Sequence, residues 1–153
     1  MKYRVLLAGA LLAAGLQPAL AGKASDFVRT FYTNLQYEAD PQFRGKFVDP
    51  AKAKLDAIDK MSSAEDEVGC VDGILALDAQ DYDEKVVAKT LKLSEDVQGD
   101  AATVTAKLSI FDDGQPDSQR EIVWLLKKVG GDWKVSDIDA RSGSGKFSEM
   151  ECQ

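Results

Sequence analysis

The residues of this chain best suited to acid–base chemistry fall in one short acidic stretch that holds Asp72, Asp78, Asp81 and Asp83, with Gln80 and Tyr82 set among them. A carboxyl group in an apolar pocket can take or give a proton near neutral pH, and a tyrosine hydroxyl can donate to a developing oxyanion. Asp81, between Gln80 and Tyr82, is the leading catalytic candidate. Asp72 and Asp78 stand beside it, with Tyr32 and Tyr82 as donors. The simpler reading of the same aspartates is that they cap turns and stay solvated.

The chain contains no histidine and only two cysteines. Ser-His-Asp and Cys-His machinery therefore cannot be built. Histidine-based zinc sites are excluded, and two cysteines are too few for a cysteine-rich one. Asp81, Asp83 and Glu84 start like a calcium loop, but the central glycine and the closing glutamate are missing. Ser142-Gly143-Ser144-Gly145-Lys146 looks like a phosphate loop only on the surface. It lacks the opening glycine, and Phe147 follows the lysine where Ser or Thr is required. It reads as a linker. No metal and no cofactor are expected.

The first 21 residues stand apart. Lys2 and Arg4 precede an apolar run from Val5 to Leu16, Pro18 breaks it, and Ala19-Leu20-Ala21 offers the small residues of a signal-peptidase site. The expectation is a signal peptide, residues 1–21, cut after Ala21. The run is short for a membrane span, and Gly22 rather than cysteine follows the cut, so no membrane or lipid anchor is expected to remain. The location would be periplasmic or secreted. In an oxidising compartment Cys70 and Cys152 would form one disulfide. Its loop of about 80 residues would stabilise by roughly 4 kcal/mol in the chain-entropy account.

Loss of Lys2 and Arg4 takes the formal charge from −7 to about −9. Such a surface repels nucleic acid and anionic lipid at long range and attracts basic partners.

The elements that must position these residues follow from periodicity. Phe27, Val28, Phe31, Tyr32 and Leu35 build one apolar face of a helix over 24–37, with Ser25 as its N-cap. A second helix is expected over 50–61, with Asp49 and Pro50 at its start. Residues 70–83 read as an irregular loop. From Glu84 onward the pattern turns to strands: 86–93, then 102–111 with strict alternation, then 120–129, apolar on both faces and so central in its sheet, then 133–138. Residues 141–153 read as a flexible tail. The aromatic set Phe27, Phe31, Tyr32, Trp124 and Trp133 is most simply core, although Trp133, just after a turn, could be partly exposed. Residues 22–153 thus form a single α+β domain in which N-terminal helices pack on a curved antiparallel sheet of about four strands.

The helix carrying Phe27-Val28-Arg29-Thr30-Phe31-Tyr32, and the closing hairpin from Val123 to Ile138 with its Trp133, Val135, Asp137 and Ile138, resemble nuclear transport factor 2-like (cystatin-like) α+β domains. Asp72-Gly73-Ile74 with Ala79-Gln80-Asp81 is similar to an uncharacterised secreted bacterial family of that superfamily. The resemblance implies a space between helix and sheet that has served isomerases, ligand binders and interaction modules alike, so fold alone does not choose a function. Some small periplasmic domains of this type are immunity proteins that neutralise a secreted toxin. A homodimer through the open sheet face is a further implication. Together with size, export, acidity and the missing catalytic set, this leads to an expected non-catalytic binding domain. Its concrete form would be an immunity-type protein that blocks a basic secreted effector, with Gln80, Asp81, Tyr82 and Trp133 as partner-binding candidates. The alternative is a small-ligand binder or carboxylate-dependent pocket enzyme of the same fold.

Overall fold

The computed structural model describes residues 23–62, 71 and 73–151. The expected signal peptide, Asp72 and both cysteines lie outside the described residues.

Helix α1 (Lys23–Thr33) buries Val28, Phe31 and Tyr32, three members of the apolar face expected from spacing. The helix starts at Lys23, so Ser25 lies inside the first turn rather than at the expected N-cap, and its N–H donates to Glu95 Oε2 at 2.8 Å. A free N–H at a helix start needs such an acceptor. The helix stops one turn before the expected end, and the chain then buries Glu38 and Ala39. A 3₁₀ turn (Pro41–Lys46), capped by Asp40, leads to α2 (Ala51–Ser62).

The segment expected as a first strand is instead mostly helix, α3 (Glu84–Thr90). Asp83 accepts the N–H groups of Lys85 and Val86 at 2.8 and 3.2 Å, and Val86 and Val87 are buried. A good N-cap and two buried contacts outweigh the preference of valine for strands.

The sheet is an open antiparallel meander of β1 (Lys92–Gln98), β2 (Ala101–Ser109), β3 (Gln119–Val129), β4 (Asp132–Ala140) and the two-residue β5 (Gly145–Lys146), in that spatial order. That is one strand more than expected. The alternation of β2 is as read: Val104, Ala106 and Leu108 are buried. β3 is central, and Val123 and Trp124 are both buried, on opposite faces. Between Leu125 and Leu126 the β3–β4 register slips, and Ser136 becomes the extra residue of a bulge. Its hydroxyl donates to the Leu125 carbonyl at 3.0 Å.

The helix–sheet space is filled. Trp124 is fully buried, its ring 4.7 Å from Phe31 and 6.0 Å from Tyr32. Its indole N–H donates to the Tyr32 hydroxyl at 3.1 Å. An aromatic side chain of this size buries on the order of 200 Å², about 5 kcal/mol as an upper estimate.

Where a flexible tail was expected, residues 141–151 carry β5 and a 3₁₀ turn (Phe147–Glu149). Phe147 is 1% exposed.

Candidate functional site

The acidic stretch folds into a tight, many-sided turn. Ile74 N–H donates to Ala79 O and Leu77 N–H to Ile74 O, both at 3.0 Å. Gly73 is required here, because a Cβ would stand 2.6 Å from the Ala79 carbonyl. Asp78 sits at φ 48, a left-handed conformation that aspartate tolerates better than most residues. Arg120 Nε donates to Leu77 O at 3.1 Å.

From the other side the turn is held by Glu38, whose two carboxylate oxygens accept Leu75 N–H at 2.9 Å and Ala76 N–H at 3.1 Å. Glu38 is 2% exposed. Burial pushes its pKa up to about 7, against the downward pull of the N–H groups it accepts from.

The C-terminal segment faces this turn. Asp78 accepts the N–H of Ser144 at 3.2 Å and its hydroxyl at 2.5 Å. The glycine-rich run 142–146 is therefore neither a free linker nor a phosphate loop, since the chain's own carboxylate already occupies the Ser144 N–H. Asp137, buried on β4, accepts the N–H of Ser148 at 3.1 Å and its hydroxyl at 2.6 Å. The Lys54 ammonium donates to the Met150 carbonyl.

Between these two walls lies a cavity of about 280 Å³. Ile74, Leu75, Ile138, Ala140, Phe147 and Met150 give it an apolar floor; Asp78, Gln80 and Ser144 supply polar groups. A second hollow of about 160 Å³ lies between α1 and the first 3₁₀ turn, where Phe31, Glu38 and Lys46 meet.

The residues expected to do chemistry are scattered. Tyr32 is buried, its hydroxyl is engaged by Trp124, and burial drives its pKa well above the ordinary range; it serves the core. Asp81 is exposed and lines neither hollow. Tyr82 is half-buried against the core, and its hydroxyl pKa is raised by burial first and by Glu84 and Glu38 next. Trp133 is 7% exposed and lies under Lys128, 4.8 Å from the ring. It stands at the opposite end of β4 from Ala140, about 23 Å away at ordinary strand rise, so it shares no site with Gln80. Of the candidates among the described residues, only Asp78 and Gln80 line the 280 Å³ cavity.

Sequence reasoning missed Glu38, which follows a helix end and belongs to no periodic pattern. It also missed the cavity floor. The signals for that were the apolar pair Ile74-Leu75 inside an acidic stretch, and Phe147 and Met150 inside a polar tail. Among the described residues no group of three His, Cys, Asp or Glu side chains is placed to hold a metal ion, and no helix is long and apolar enough to cross a membrane.

No protein-family model matches the sequence, and no curated protein matches it. Among solved structures, a chain of the type VI native effector–immunity complex Tae3–Tai3 from Ralstonia pickettii is similar in fold. The TM-score is 0.52 at 16% identity, over 80% of this chain and 97% of that one. The chain therefore shares an α+β architecture with a chain of that complex over almost all of the latter's length.

Proposed function

We propose that this chain is a non-catalytic, immunity-type binding protein that engages and blocks a secreted effector. The observation that carries the reading is the match to nearly the whole length of a chain from an effector–immunity complex, whose immunity partner is Tai3. Three features of the molecule support it. The space between α1 and the sheet is filled by aromatic side chains rather than shaped for a substrate. The leading catalytic candidate, Asp81, faces solvent. The net charge of −7 favours a basic partner.

In the same reading the chain is exported, cut after Ala21, and works in the periplasm, where Cys70 pairs with Cys152. Val71 and Met150, close in sequence to the two cysteines, line one cavity, which supports that pairing. Helix α1 packed across the antiparallel sheet is in keeping with the nuclear transport factor 2-like superfamily.

The test is neutralisation. A tagged chain is expressed in its own host, its bound protein is identified by mass spectrometry, and that protein is sent to the periplasm of a test bacterium with and without the chain. The expected result is a 1:1 complex with one basic secreted protein whose toxicity the chain abolishes. A purified chain that forms no such complex and gives no protection would end the reading.

A further inference from the structure

We infer that the hollow between the 73–80 turn and the C-terminal segment seats one apolar side chain of the effector, next to an arginine or lysine of the effector that pairs with Asp78. This inference rests on the immunity-type reading and names the surface and the chemistry it selects.

The floor is apolar, formed by Ile74, Leu75, Ile138, Ala140 and Phe147. Its volume of about 280 Å³ falls just short of the usual small-molecule pocket, roughly 300–1,000 Å³, and suits a single large side chain. Interfaces draw most of their energy from a few such anchors seated in desolvated pockets.

Charge selects the anchor's neighbour. Asp78 is half-buried at the rim. Its hydrogen-bond donors are the N–H and hydroxyl of Ser144, both neutral. Among the described residues no lysine or arginine pairs with it. The cations around the turn and the C-terminal segment are engaged elsewhere: Arg120 donates to the carbonyls of Leu77, Asp117 and Gln119, Lys146 Nζ lies 3.2 Å from Glu149 Oε1, and Lys54 donates to the Met150 carbonyl. An uncompensated carboxylate beside an apolar hollow is complementary to a hydrophobe with an adjacent cation. The net charge of −7 works against a second copy of the chain in the same place.

Both walls are already fixed. Glu38, Gly73 and Arg120 hold the turn, and Asp137 holds the C-terminal segment through Ser148. A seat ordered before binding loses little entropy when occupied.

The probe is acetyl-phenylalanyl-arginine amide, titrated into the chain by methyl and amide NMR, with acetyl-phenylalanyl-glutamate amide as its counterpart. The arginine peptide is expected to shift Ile74, Leu75, Ile138 and Met150 and to bind more tightly than the glutamate peptide. Asp78→Asn keeps a side chain that tolerates positive φ and should weaken the arginine peptide about fivefold, the worth of one exposed ion pair. Asp81→Asn should leave it unchanged. The proposal is overturned if these four residues do not respond, or if the two peptides bind equally. A dimer that dissociates on Asp78→Asn would assign the hollow to a second copy and likewise overturn it. An effector complex whose affinity ignores Asp78→Asn removes this seat and leaves the immunity reading standing. Failure to form any effector complex removes the reading itself.

Discussion

A methyl group on Gly143 would stand 1.9 Å from Asp78 Oδ2, so these two residues fit together only because one of them has no side chain. The close approach lets Asp78 reach Ser144 and ties the acidic turn to the C-terminal segment. Gly143→Ala should force the carboxylate aside and break both hydrogen bonds, at a cost of about 1–2 kcal/mol. Gly73→Ala presses on the Ala79 carbonyl, which cannot swing away, and should cost more, about 2–3 kcal/mol. Urea denaturation measures both. In the double variant Asp78→Ala with Gly143→Ala the losses should fall short of their sum, because both remove the same contact.

Glu38 makes stability depend on pH in the direction opposite to a salt-bridged carboxylate. Its folded pKa of about 7 exceeds its ordinary 4.5, so between those values the folded state binds more protons than the unfolded one. Its contribution is therefore full below about pH 4.5, declines as pH rises toward 7, and is gone above that. The size is roughly 3 kcal/mol. Glu38→Gln cannot ionise. Its stability relative to the parent should rise by about that amount from pH 4 to pH 8, whatever it loses to the imperfect fit of an amide NH₂ near the Leu75 and Ala76 donors. Thermal or urea denaturation across the range checks it, and a flat difference would show that folding leaves the pKa of Glu38 at its ordinary value.

Tyr32 and Trp124 make a different kind of test. Tyr32→Phe keeps the ring that packs on Trp124 but leaves a buried indole N–H without its acceptor. A loss of about 1–3 kcal/mol is expected. If Tyr32 served as a proton donor to a substrate, the change would abolish a turnover and leave stability alone.

How far the sequence reaches is clearest at α3. Residues 86–93 look like a strand by composition, yet Asp83 caps a helix there. The decisive fact is tertiary: Asp83 N–H donates to the Ile110 carbonyl at 2.8 Å, which sets the entry of the chain, and Val86 and Val87 then meet the core. Asp83→Ala should cost about 1 kcal/mol, with loss of helical signal at 222 nm. By contrast, β2 is legible from its two-residue period and β3 from an apolar run that serves both faces of the sheet. The bulge at Ser136 is not, since nothing local marks the residue that slips.

The site was legible only in part. Asp78 and Gln80 stood out through their neighbours in an acidic stretch, but Asp81 stood out more and is exposed. Which of adjacent aspartates turns inward depends on the positive φ at Asp78 and on Ser144, 66 positions later in the chain. No local pattern encodes a contact of that separation. Glu38 is the same case: its meaning lies in two N–H groups 37 and 38 residues away.

After β4 the sequence looks dispensable, yet the segment carries a strand and a 3₁₀ turn. Phe147 is 1% exposed and also forms part of the cavity floor. Phe147→Ala should cost about 3–5 kcal/mol, the usual range for a buried phenylalanine, a large share of the stability of a domain of this size. Phe111, 37% exposed, is the control: Phe111→Ala should cost about 0.5 kcal/mol or less. Asp137→Ala should reproduce part of the Phe147 loss, because it frees Ser148 and with it the turn that aims the ring inward. Denaturation of the three variants at one pH ranks them. If Phe147→Ala costs no more than Phe111→Ala, the C-terminal segment is peripheral, and the cavity it walls is not part of the stable fold.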